Sequence, residues 1–173
     1  MMTDFSNQQI LVSELPEWQT VQFEKISPKY RMVLLIRYVL LIAIFVSIFF
    51  IIFSQKDQPW DSTYQNILLG GLGFLLVLLG ISLWSLRYWG YALRENDMLY
   101  RSGIFSKSVK IIPFRQVQHV DIKEGALSRI FGLSSIALHT AGVGEGLIVP
   151  GIEHATVSYI QEYISQKIVN KSH

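Results

Sequence analysis

The run MVLLIRYVLLIAIFVSIFFIIF, from Met32 to Phe53, decides what kind of chain this is. Its one charge, Arg37, lies near the N-terminal end. A second run, ILLGGLGFLLVLLGISLWSL from Ile67 to Leu86, carries none. At about 1.5 Å of rise per residue, a helix over either run crosses a hydrocarbon core of roughly 30 Å. Inside lipid the backbone polar groups of an isolated segment must be satisfied within that segment, so both runs are expected to be helices. A cleaved signal peptide fits poorly: the first run starts well inside the chain, is too long for an h-region and has no clear small-residue cleavage site.

The composition agrees. Half of the 173 residues are hydrophobic and 16% are charged, against roughly a quarter charged in an ordinary soluble domain. Mean hydropathy is +0.33. The length allows one membrane element and one small domain. A net charge of +2 without a dense basic run argues against a nucleic-acid partner. The absence of cysteine removes disulfides, thiolate metal sites and Cys nucleophiles, and fits a reducing compartment.

Between the runs, Ser54–Asn66 reads SQKDQPWDSTYQN, polar and slightly acidic. The opposite flanks carry Lys25, Lys29 and Arg31 before the first helix, and Arg87 and Arg94 after the second. The positive-inside bias predicts a multi-pass membrane protein with both termini cytoplasmic and the loop outside. Trp60 and Tyr64 suit one interface; Tyr30, Trp84, Tyr88 and Trp89 suit the other. Arg37 either snorkels to cytoplasmic headgroups or pairs with a partner subunit. Gly70, Gly71, Gly73 and Gly80 permit close helix approach, to the first helix or to another protein. The expected division is a cytoplasmic N-terminal segment (1–31), a helical hairpin (32–86, helices 32–53 and 67–86) and a cytoplasmic domain (87–173). Whether residues 1–31 lie on the membrane or join the domain stays open.

After the hairpin the period changes. Tyr91–Arg94, Met98–Ile104, Val109–Pro113, Val117–Lys123, Ser135–Thr140 and Leu147–Val149 are short runs rich in β-branched and aromatic residues, separated by turn signals. They predict an antiparallel sandwich or barrel. One step in Val117–Ile122 is out of phase, which suggests a bulge. Ala126–Phe131 reads as a helical turn ended by Gly132. A last helix, about Glu153–Val169, has Val157, Ile160, Ile164 and Ile168 on one stripe, expected to pack structurally.

The segment YALRENDMLYRSGIFSKSVKIIPFRQVQHVDIKEGALSRIFGLSSIALHTAG, Tyr91–Gly142, resembles the bacterial pleckstrin-homology-like domain, a family once catalogued as a domain of unknown function. The resemblance rests on Arg101 and Gly103, Ile112-Pro113, the run Arg115–Val120, Gly125-Ala126-Leu127, Arg129, Phe131-Gly132-Leu133 and His139–Gly142, and it extends over roughly residues 88–169. Gln116 stands where the family often has Ile, and Ala126 replaces a common Pro. The resemblance implies a seven-strand PH-like structure closed by a C-terminal helix, and a short member that works beside a larger membrane protein carrying several such domains. It also implies a role in envelope stress or resistance to membrane-active peptides. Phosphoinositide binding does not follow from the fold.

No catalytic or cofactor constellation stands out. His119, His139, His154 and His173 lack metal-ligand spacing, and the first two read as structural histidines on strands. Gly142–Gly146 is similar to a phosphate loop but is followed by a strand, so a hairpin turn is expected. Asp121 with Glu124, and Glu95 with Asp97, fall on turns or solvent faces. The basic residues Arg87, Arg94, Arg101, Lys107, Lys110 and Arg115 are the candidates for headgroup or partner contact, alongside Arg37. Two readings result. One is a non-enzymatic accessory subunit beside a larger related membrane protein. The other is a lipid-handling or transport component whose helices and basic residues engage phospholipid headgroups.

Overall fold

A computed structural model describes residues 21–55, 61–104, 106–140 and 146–169. Trp60, most of the glycine-rich turn after Ala141, His173 and the first twenty residues of the N-terminal segment lie outside them.

The two apolar runs are helices, α1 (Tyr30–Ser54) and α2 (Ser62–Ser85). Both are long and apolar enough to cross a membrane, and no residue in the most apolar stretch of either is buried. Asp61 begins α2 by accepting the Ser62 backbone N–H at 2.6 Å, a usual N-cap role for Asp. The helices meet where Gly71 leaves room for the Phe45 ring; a methyl group there would collide with it. Nearer the domain the Tyr38 hydroxyl lies 2.7 Å from Ser82 Oγ, a polar tie across the hairpin.

Among the described residues, seven strands make two antiparallel sheets. The first joins β1 (Glu24–Lys25), β2 (Gly90–Leu93), β3 (Asp97–Ser102) and β4 (Ser108–Pro113) in that order. A 3-10 turn over Phe114–Gln116 leads into the second, β5 (Val117–Lys123), β6 (Leu133–Thr140) and β7 (Leu147–Glu153). The sheets do not close into a barrel, so the sandwich alternative is the one that forms. The phase slip in β5 is a register shift between Val117 and His119. The short helix α3 (Ala126–Ile130) ends at Phe131, and Gly132 follows at φ +66°, a left-handed turn open to glycine.

The core gathers both sheets, α4 (His154–Val169) and the base of the hairpin. Met98, Ile136, Leu138 and Val149 are fully buried, and α4 adds Val157, Ile160 and Ile164, with Ile168 at the margin. Each such aliphatic side chain contributes about 1.5–3 kcal/mol as an upper estimate, so the stripe on α4 is structural.

The first turns of α1 belong to the same core: Tyr30, Val33 and Leu34 are buried in it. The Ser27 N–H donates to the Gly151 carbonyl at 3.0 Å, Leu83 and Leu86 of the α2 exit pack from the other side, and Trp89 lies 6.5 Å from Tyr30 and 6.4 Å from Tyr100 by ring centroids. Tyr30, expected at the headgroup level, is a core residue because α1 starts inside the domain rather than above it. The anchor is thus built into the domain.

Candidate functional site

Where both helices meet the domain there is a cavity of about 470 Å³ lined by Lys25, Ile26, Ser27, Pro28, Arg31, Leu86 and Arg87. Three elements bring its cations together. Lys25 ends β1, fixed by pairing with Gly90 of β2; Arg31 stands in the first turn of α1; Arg87 follows the end of α2. All three are exposed, and among the described residues none has a carboxylate partner. Their neighbour Lys29 instead reaches Glu153 at 3.3 Å. Three cations without a carboxylate partner around one cavity can together hold an anionic group such as a phosphate.

Of the basic residues picked from sequence, only Arg87 lies here. Arg94 is held by Asp97 through two bonds of 2.6 and 2.5 Å, and that carboxylate raises the guanidinium pKa further. Arg101 stacks over the Phe23 ring at 4.6 Å, with its Nε buried and, among the described residues, without a hydrogen-bond partner. Lys107 and Lys110 are exposed on the β3–β4 hairpin. Arg115 lines a separate cavity of about 450 Å³ with Lys167, Glu95 and Asp97. Arg37 is exposed on α1. Lys25 and Arg31 were legible only as charge flanking a helix; their convergence with Arg87 comes from the β1–β2 pairing.

The glycines divide. Gly71 faces α1, whereas a Cβ at Gly70, Gly73 or Gly80 would meet nothing within 4 Å. These three have open space beside them rather than the hairpin's own partner helix.

Two further constellations are made by the fold. Ser134, only 1% exposed, donates to Glu124 Oε1 at 2.9 Å, and His154 Nδ1 lies 2.5 Å from that oxygen and 3.1 Å from Ser134 Oγ. This is a serine, a histidine and a carboxylate, but not a nucleophilic triad. There the serine and the carboxylate occupy opposite nitrogens of the imidazole; here both crowd Nδ1, and the serine proton is already given to the carboxylate. The group ties the start of α4 to the turn after β5 and holds the Glu124 carboxyl below its ordinary pKa, chiefly through the Ser134 hydrogen bond and then through His154. The second constellation is His119 and His139, stacked at 4.3 Å with Asp121 beside them. The sequence keeps these histidines twenty residues apart; cross-strand register brings them together.

Comparison with known proteins agrees with the resemblance read from the sequence. The family model described as Bacterial PH domain matches residues 30–168. Among curated relatives, the UPF0699 transmembrane protein YdbS of Bacillus subtilis (strain 168) is 29% identical over 80 residues, 46% of this chain and 49% of that one. The UPF0699 transmembrane protein YdbT of the same organism is 26% identical over 121 residues, 60% of this chain and 24% of that one. The chain thus spans about half of the first relative and a quarter of the second. A crystal structure of a DUF1696 family protein with a pleckstrin-homology domain from Shewanella loihica PV-4 aligns at TM-score 0.37 and 13% identity, covering 46% of this chain and 70% of that one. With a family match that takes in α1, α2 and all but the first strand of the two sheets, this chain belongs to the bacterial PH domain family, as a member with two membrane-length helices.

Proposed function

We propose that this protein is a non-enzymatic, membrane-anchored accessory subunit that holds its PH-like domain at the cytoplasmic face and assembles with a larger related membrane protein. The observation that carries this reading is the outward set of Gly70, Gly73 and Gly80 on α2. The hairpin satisfies its own packing through Gly71 and the Tyr38–Ser82 contact, so the remaining glycines leave a face on which another helix can approach closely. YdbT, of which this chain covers only a quarter, is an example of a larger related protein. The Ser134–Glu124–His154 geometry supports a non-catalytic role, since the one serine–histidine–carboxylate group among the described residues is wired for structure. The decisive experiment is crosslinking in intact membranes followed by mild solubilisation of a C-terminally tagged chain. A larger family member recovered at fixed ratio supports the reading; recovery of the chain alone, or with lipid only, sinks it. A role in envelope stress would then show as a loss of resistance to membrane-active peptides in cells that lack the chain.

A second reading has its own support. The Lys25–Arg31–Arg87 cavity favours engagement of anionic phospholipid headgroups, which would orient the already anchored domain and could serve lipid handling. Replacing all three by Gln should reduce co-purified anionic lipid. Arg37→Leu tests whether the helices themselves take part. If neither change alters lipid content, assembly or localisation, this reading fails.

A further inference from the structure

In β5, Val120 and Ile122 pack toward the core, so the two-residue period of a strand stands His119 and Asp121 on the other face. Register places His139 of β6 directly opposite His119. His139 Nε2 lies 3.0 Å, and His119 Nε2 4.0 Å, from Asp121 Oδ2. One ligand atom from each of the three residues falls within 4.8 Å of the others. A second observation is independent of this grouping. His139 Nε2 is buried and, despite the short distance to Asp121, has no hydrogen-bond partner among the described residues. The carboxylate is near enough but off the line of an N–H donor. A cation shared with the Asp121 carboxylate would satisfy that buried nitrogen.

We propose that His119, Asp121 and His139 bind a divalent transition-metal ion of the zinc class. Two imidazoles and one carboxylate are borderline donors that suit zinc, cobalt, nickel or copper rather than magnesium or calcium. Tetrahedral bonds of about 2.0–2.1 Å place ligand atoms about 3.3 Å apart, and the two separations from Asp121, 3.0 and 4.0 Å, straddle that edge. The rings stack within 12° of parallel, so their lone pairs lie in nearly parallel planes. Convergence on one ion takes a turn about the side-chain bonds of His119, which is 59% exposed and free to make it. All three residues stand on paired strands, which fixes their backbone positions. Three protein ligands leave a fourth position for water or for a side chain of a partner. The bound ion would join β5 to β6 on the face away from the core and stabilise the folded domain by mass action.

The test uses the full chain in mild detergent, carrying a histidine-free tag and stripped of metal by chelation. Zinc is titrated calorimetrically, and cobalt is followed by its ligand-field absorption. The expected result is one zinc ion per chain, an unfolding temperature that rises with zinc, and a tetrahedral cobalt spectrum. His119→Ala, Asp121→Asn and His139→Ala should each weaken affinity by more than the roughly 10–100-fold that loss of a second-shell partner costs, while His154→Ala leaves it unchanged. The metal-free unfolding midpoints of all variants show whether they fold; His139→Gln replaces His139→Ala if the latter does not. No uptake by the parent chain overturns the proposal. So does uptake equal in the parent and all three ligand variants, which means an adventitious ion only, and so does cobalt that keeps the spectrum of its hydrated form.

Discussion

Glu24 pairs with Tyr91 in antiparallel register, although both membrane helices lie between them in the chain. Burial, and then the nearby Glu24 carboxylate, push the Tyr91 phenol pKa up. The domain is therefore completed by a strand that precedes its own anchor. Tyr91→Phe removes the hydroxyl beside that carboxylate while keeping the ring, and a stability loss of about 0.5–1.5 kcal/mol is expected where a hydroxyl–carboxylate contact is lost, read as a shift in denaturant midpoint in detergent. An unchanged midpoint would mean that β1 contributes little to the fold.

Gly151 is the second seam between segment and domain. It has φ +72°, and a Cβ would lie 2.6 Å from Ile26 Cγ2 and 2.8 Å from Tyr30 Cγ. Gly151→Ala combines a disfavoured backbone with overpacking and should destabilise by about 1–3 kcal/mol or more. Because Ile26 and Tyr30 lead directly into α1, proteolysis at the hairpin base should rise with it.

The Ser134–Glu124–His154 group predicts acid sensitivity. The Glu124 pKa is lowered from its ordinary 4.5 in the folded protein. A depressed folded-state pKa contributes stability that is fully present above the unfolded value and is lost as pH falls through the folded one. Stability should thus drop below about pH 4.5 more steeply in the parent chain than in Glu124→Gln, a difference visible in thermal midpoints measured from neutral pH downward.

The glycines on α2 should separate two kinds of defect. Gly71→Leu drives into Phe45 and should disrupt the hairpin itself, lowering yield and stability. Gly73→Leu and Gly80→Leu meet open space and should leave the isolated chain intact while weakening recovery of a larger partner. If all three variants behave alike in the crosslinking experiment, the outward face is not an assembly surface.

By itself the sequence determined the elements and the family. Two uninterrupted apolar runs permit only membrane-length helices, since lipid leaves a backbone no external partner. Alternation and turn residues set the later strands to within a residue or two at most ends, and even the slip in β5 was legible as a break of phase. It ended the last strand at Val149, whereas β7 runs on through Pro150 and Gly151 to Glu153. It also left open where the segment before α1 goes, because a two-residue edge strand has no periodicity to detect. The tertiary structure decided what depends on register and on contacts between distant elements. Lys25 and Arg31 converge with Arg87 because β1 crosses back to β2. Gly71 turns inward while Gly70, Gly73 and Gly80 turn outward, according to how α2 rotates against α1. His119 meets His139 only through the pairing of β5 with β6. Periodicity states which face of one element a residue occupies; which residues share a site is set by packing between elements, and packing is not local.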